Sequence, residues 1–227
     1  MEKDETPVVG ICVPTMEMVD TDFALSLVGL VAYNRELIRD VTFRKRQAVH
    51  RARNWLARYN LARAEPSVTH LLWCDDDHVF PADSLPRLLA HDKDIVGCMH
   101  RLRRPPYRFV GALLDSSVDP SMAGGLHRAA MLGGGLLLVK RGVYEALKSP
   151  WYREISDPSL AGTDSNDPDN VDGDVSEDVY FCREAQKAGF EIWSDLDLTY
   201  EVRHKNGAEE IWFRNPPPLP PYPIATQ

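Results

Sequence analysis

HLLWCDDDHVFP, residues 70–81, is an apolar run that stops at three consecutive aspartates, Asp75, Asp76 and Asp77. Its apolar half reads as a buried strand. Three carboxylates at a strand end repel one another, and a divalent cation relieves the repulsion. Hard cations such as Mg²⁺ and Mn²⁺ prefer such oxygen ligands. In an extended segment Asp75 and Asp77 point the same way, because side chains alternate along a strand. The pair is therefore expected to chelate one ion, which also binds a diphosphate. The plainer reading of the triplet is a polar turn of solvated acids.

Working outward, the residues on either side alternate between strand and helix patterns. Upstream, Val8 to Val13 is a short apolar run closed by Pro14 and reads as a strand. Asp20, Thr21 and Asp22 offer N-cap chemistry to a helix over Phe23 to Tyr33. Leu37 to Phe43 is a second strand. Gln47 to Arg63 is helical, with Val49, Ala52 and Leu56 on one face and Pro66 beyond its end. Downstream, Asp83 is placed to cap a short helix through Leu89, with Pro86 tolerated in its first turn. Ile95 to Met99 is a fourth strand. Ala129 to Val139 reads as a glycine-bearing strand, and a helix follows near Val143 to Leu147. Ser176 caps a helix to Lys187, which Gly189 ends. Glu191 to Trp193 and Tyr200 to Arg203 are two further strands. This order predicts an α/β fold: one mostly parallel sheet flanked by helices. Ligands of such sheets sit outside the carboxyl ends of the strands. Pro14, Thr15 and the aspartate triplet should then share one crevice.

At 227 residues and 44% hydrophobic, the chain suits a single domain, residues 1–214, followed by a proline-rich tail, residues 215–227. The tail, beginning NPPPLPPYP, is expected as extended polyproline helix. No apolar run reaches the ~18 residues of a membrane span, so no membrane insertion is expected. The polar start MEKDETP is unlike a secretory signal. Cys12, Cys74, Cys98 and Cys182 are scattered without a CxxC pair. They read as reduced core residues, which excludes zinc held by cysteine and points to the cytoplasm. The net charge of −8 argues against a general nucleic-acid binder. Two basic clusters, Arg44, Lys45, Arg46, Arg51 and Arg53, and Arg101, Arg103, Arg104 and Arg108, make binding a local matter. The acidic stretch Asp164 to Asp174 fails the EF-hand spacing, because Val171 falls where a third ligand is needed after Asp167 and Asp169. A loop closing over a bound ligand fits it better.

Six pieces of the chain then match a known pattern in order. They are VVGICVPT (8–15), RARNWL (51–56), HLLWCDDDHVFP (70–81), MLGGGLLLVKRGVYEAL (131–147), SEDVYFCREAQKAGFEIW (176–193) and VRHKNG (202–207). Together they resemble the nucleotide-sugar glycosyltransferases of GT-A fold, most of all the large family 2-like group. The resemblance implies a metal-dependent transfer of a sugar from a nucleotide-diphosphate donor, a UDP- or GDP-sugar, to an acceptor hydroxyl, with inversion. Asp75 and Asp77 would bind Mn²⁺ or Mg²⁺ and, through it, the diphosphate. Pro14, Thr15, Arg53, Asn54 and Asp76 would line the nucleotide site, and Gly134 and Gly135 the sugar site. Asp178, with Glu177 beside it, would be the base toward the acceptor, and His204 a further metal ligand or diphosphate contact. The acceptor is left open between a glycan, a protein and a hydroxylated base of modified DNA.

Simpler roles stand beside these. Glu177 and Asp178 complement a helix dipole, and Gly133 to Gly135 suit a bulge or a close backbone approach. A lone His204 suits a surface turn. Two rival functions are weaker. A sugar nucleotidyltransferase needs a glycine-rich phosphate loop after the first strand, where this chain reads PTMEMVD (14–20). A non-catalytic binding module leaves the acids unexplained.

Overall fold

The computed structural model describes residues 6–63, 67–103, 105, 107–157, 173–207 and 209–213. The proline-rich tail, most of the acidic stretch and Arg104 lie outside the described residues. The chain begins β1 (Val9–Thr15), α1 (Thr21–Tyr33), β2 (Ile38–Lys45), α2 (Val49–Ala62), β3 (His70–Cys74), β4 (His78–Val79) and α3 (Ser84–Ala90). It continues with β5 (Ile95–Gly97), β6 (His100–Arg101), β7 (Phe109–Val110), β8 (Ala112–Leu113), β9 (Leu126–Met131), β10 (Leu136–Lys140) and α4 (Arg141–Ala146). It ends with β11 (Ile155–Ser156), β12 (Asp174–Val175), α5 (Glu177–Lys187), β13 (Ile192–Asp195), α6 (Leu196–Thr199), β14 (Arg203–Asn206) and β15 (Glu209–Trp212).

The large sheet has the order β2-β1-β3-β10-β5-β13-β9-β8. Its β2, β1, β3, β5 and β13 run one way, while β10 and β9 run against them. The sheet is therefore mostly parallel, flanked by helices, as the alternation predicts. Central strands are apolar on both sides because both faces are covered. On β3, Leu71 and Trp73 enter one core with Leu56, Ala57, Tyr144 and Phe181 from α2, α4 and α5. Leu72 and Cys74 enter the opposite core with Phe23, Leu30, Leu85 and Leu88 from α1 and α3. The four cysteines are buried free thiols, as expected. Among the described residues no helix is long and apolar enough to cross a membrane.

Three local expectations are corrected. The run Ala129 to Val139 is two strands: β9 pairs with β13 and β8, whereas β10 lies between β3 and β5. The apolar continuity of MLGGGLLLV hides a change of place in the sheet, made at Leu132 to Gly135. Tyr200 to Arg203 is not a strand. The short helix α6 ends there, and β14 begins at Arg203, pairing with β4 and β15. Asp20 caps α1 through its side chain, accepting from the amides of Asp22 and Phe23. Asp83 and Ser176 make no such bond to α3 and α5. Gly189 does follow the end of α5, with φ +93°, a left-handed turn that glycine takes without strain.

Candidate functional site

The parallel register sets Cys12 of β1 opposite Trp73 of β3, so Thr15 and the aspartate triplet emerge at the same end of the sheet. The triplet does not stay extended. The His78 amide donates to the Asp75 carbonyl at 3.2 Å and closes a turn between β3 and β4. Alternation along a strand therefore does not apply, and the three carboxylates part company. Asp75 and Asp77 find cationic or hydrogen-bonding partners on other pieces of the chain, whereas Asp76 still feels both of its neighbours.

Asp75 takes a buried arginine. Arg53 Nη2 donates to both Asp75 oxygens, at 2.9 and 3.1 Å, and its Nε donates to Glu177 Oε1 at 3.1 Å. Burial works against the charge of Arg53, but Asp75 and Glu177 more than offset it and keep the guanidinium cationic. Burial in turn raises Glu177, with Arg53 pulling the other way. Trp73 lies under the guanidinium, with Arg53 Cζ 5.4 Å from its ring centroid. Its indole N–H donates to Tyr144 at 2.7 Å. Asp76 is half-buried near Thr15; burial and the neighbouring Asp77 and Asp75 leave its carboxyl raised.

Asp77 sits among imidazoles. Its Oδ1 lies 2.9 Å from His78 Nδ1, and its Oδ2 lies 3.2 Å from His204 Nε2 and 2.9 Å from Arg103 Nη1. Burial alone would raise this carboxyl; the bonds to His204 and His78 hold it far below the usual carboxylate range instead. His78 and His204 face each other across the β4–β14 pair, their rings stacked with centroids 4.3 Å apart. His100, at the start of β6, packs edge-on to His78 at 4.6 Å. All three histidines are buried, and one ring nitrogen of each lies within 4.8 Å of the others. Burial pushes His100 well below the ordinary histidine range.

The glycine run explains itself here. A Cβ on Gly134 would stand 2.2 Å from Arg53 Nη2, and one on Gly135 would stand 2.4 Å from His78 Nε2. One on Gly133 would meet His100 Cε1 at 2.5 Å. The backbone comes close to these side chains, and no bulge is involved.

Of the residues singled out in the sequence, the structure therefore brings together Thr15, Arg53, Asp75, Asp76, Asp77, Glu177, His204, Gly134 and Gly135. Pro14 precedes Thr15 within β1. Asn54 faces elsewhere. Its amide donates to the carbonyls of His50 and Tyr152 and accepts from the amides of Trp151 and Tyr152. That uses every hydrogen bond an amide side chain has and makes Asn54 a bracket for the 151–152 loop. Asp178 is partly exposed one residue beyond the Arg53 cluster, accepting from the Ser176 hydroxyl and the Val179 amide. Sequence reasoning missed His78 and His100, and it named Arg103 only as part of a basic cluster, not as a partner of Asp77. His78 directly follows the triplet and His100 follows β5, so position after a strand end was the available signal.

No protein-family profile and no curated protein matches this chain in sequence. Among solved structures, A197 from STIV is similar in fold, with a TM-score of 0.62 at 15% identity, covering 92% of this chain and 94% of that one. At that identity the likeness bears on the fold alone.

Proposed function

We propose that the protein is a metal-dependent glycosyltransferase of GT-A type, using a nucleotide-sugar donor. One observation carries the reading. Thr15, Arg53, the aspartate turn, Glu177 and His204, drawn from five separate segments, converge at the carboxyl ends of β1 and β3, where α/β sheets bind ligands.

The residues fit a divalent cation. His204 Nε2 and Asp77 Oδ2 face each other at 3.2 Å, a spacing that two ligand atoms of one ion would have. Asp77 and His204 would hold the ion. Asp75, with both oxygens on Arg53, reaches it only by loosening that pair. A bound cation would neutralise charge developing on a departing diphosphate. Arg53 fixes Asp75 against Glu177 and so holds α2, β3 and α5 in one arrangement. Asp178, partly exposed and next to Glu177, would accept the proton of an acceptor hydroxyl.

The test is release of nucleoside diphosphate from a panel of UDP- and GDP-sugars, with Mn²⁺ or after chelation. Turnover that needs both metal and Asp77 supports the reading. A panel giving no metal-dependent turnover, and no metal-dependent nucleotide binding, overturns it.

A further inference from the structure

The chain carries a net charge of −8, yet eight of its 26 basic residues and only one of its 34 acidic ones lie between positions 38 and 63. We propose that the surface built there by β2 and the outer side of α2 binds the phosphate backbone of a nucleic acid.

The fold sorts these cations. Among the arginines of α2, Arg53 alone turns inward, with Ala52, Leu56 and Asn60. On the outer side Arg51, Trp55, Arg58, Tyr59 and Ala62 recur at helical spacing and share one face that holds no acid. At the end of β2, Arg44 and Lys45 pair in register with Pro14 and Thr15. The basic face therefore begins beside Thr15 and runs away from it along α2.

Partnering divides the cations further. Arg46 pairs with Glu17, and Arg39 and Arg63 pair with Asp40. Lys45 and Arg51 meet no carboxylate among the described residues, and Arg44 and Arg58 bond to neutral Gln47 and Ser149. A solvated surface mixes both signs. Cations left uncompensated together attract an anion from outside. The rest of the chain is acidic, but exposed charges farther than about 10 Å are screened at 0.1 M salt.

The aromatic rings hold part of this face in place. Arg44 Cζ lies 4.4 Å from the Trp55 ring centroid, Trp55 stacks on Tyr59 at 4.9 Å, and Arg63 Cζ lies 5.3 Å from the Tyr59 centroid. An arginine stacked by its flat face keeps its N–H edge for phosphate. Fixing it beforehand lowers the ordering cost of binding. Arg51 and Arg58 stand two turns apart, ~10 Å along the helix at 1.5 Å per residue. A row of that length exceeds one diphosphate and suits a polymer of phosphates. The two rings pack on each other and on arginines, so they do not stand free to enter a lipid surface. Phosphate contacts carry no sequence information, so binding should be independent of sequence.

The face stands apart from the transferase reading; together with it, the nucleic acid would carry the acceptor hydroxyl. The test is the anisotropy of fluorescein-labelled DNA, a duplex of about 20 base pairs and its single strand, titrated with the full chain between about 50 and 200 mM salt. We expect either form to bind with a slope of log K on log salt of about −3 to −4, roughly a 100-fold loss across that range. Lys45→Ala, Arg51→Ala and Arg58→Ala should each weaken binding about 3–10-fold and flatten the slope by about 1. Arg128→Ala, on β9 and paired with Glu191, should bind like wild type. Thermal melts of the same samples report whether each variant is folded; if one is not, the wild-type slope decides. No binding at the lowest salt, a slope near zero, folded variants that bind like wild type, or tighter binding to phosphatidylserine vesicles overturns the proposal. So does loss of a nucleotide-induced rise in Tm in the same three variants, which assigns these cations to the donor. DNA binding without turnover of any nucleotide sugar keeps the face and defeats the transferase. Turnover without DNA binding does the reverse.

Discussion

Arg53 binds carboxylates 22 and 124 positions away in sequence, and its neighbours differ in what they stand to lose. Glu177 is buried on the guanidinium, whereas Asp178 is partly exposed and bonded to Ser176 and the Val179 amide. Breaking a buried ion pair from one side costs about 3–5 kcal/mol, and a glutamine that keeps the hydrogen bond softens this. Glu177→Gln should therefore lower stability by about 1–3 kcal/mol in urea unfolding. Asp178→Asn should change it by less than about 1 kcal/mol, the scale of a helix-dipole contact. Donor assays should show the opposite order, with Asp178→Asn slowed about 10²–10⁴-fold as befits a lost base. If Glu177→Gln keeps full stability and loses turnover, the two carboxylates have exchanged roles. The pair was legible in sequence as two acids opening a helix. Which of them Arg53 claims was not, because the partner lies on α2 and no local spacing reveals it.

Among the elements, the glycine run and β3 carry the site. Gly134→Ala puts a methyl 2.2 Å from Arg53 Nη2, and the guanidinium is buried and tied to Asp75 and Glu177. Overpacking of this kind costs about 1–3 kcal/mol, and pushing Arg53 away also frees Asp75. We expect a lower Tm for Gly134→Ala, while Gly142→Ala, whose added Cβ meets nothing within 4 Å, should leave Tm near wild type. Equal Tm values for wild type and Gly134→Ala would refute the close packing. At the opposite end of β3, burial and Lys140 lower His70 from its ordinary 6.5 to about 4, against the pull of Asp92. The folded state thus holds its proton less tightly than the unfolded chain. That contribution is complete above pH 6.5 and is lost as pH falls toward 4. His70 keeps some exposure, so solvent screening reduces the effect to about 1–2 kcal/mol. His70→Gln should therefore lose less stability than wild type between neutral pH and pH ~4.5 in urea melts; parallel losses would exclude the histidine. Apolar alternation revealed β1, β2, β3 and α2 to within a few residues. It misread MLGGGLLLV, because β9 and β10 are both apolar and the turn between them contains no polar residue. It misread Tyr200 to Arg203, because so few residues fit a helix turn as well as a strand.

At the scale of the whole molecule, the site closes the chain on itself. Lys205 of β14 pairs with Asp22 of α1 at 2.6 Å, and its amide donates to the Asp77 carbonyl at 2.7 Å. His204 and the aspartate turn are thus held by segments at both ends of the described chain. The mostly parallel sheet, and the meeting of Thr15 with the aspartate turn at its carboxyl end, could be read from alternating elements. The cluster of histidine rings could not, because His78, His100 and His204 become neighbours only through the β4–β14 pairing and the return of the chain after β5. A ligand that bridges these segments should stabilise all of them at once. A ligand at 100 times its Kd adds about 2.7 kcal/mol to the native state. For a chain of this size that is a Tm rise of about 5–10 °C. UDP or GDP with Mn²⁺ should produce such a rise, and each alone a smaller one, because metal and diphosphate neutralise each other's charge in the crevice. His204→Ala should remove the extra rise seen with both together and retain what nucleotide alone gives. If the two ligands shift Tm by no more than the sum of their separate effects, metal and nucleotide do not meet at Asp77 and His204. The aspartate turn would then be a structural junction between β3, β4 and β14.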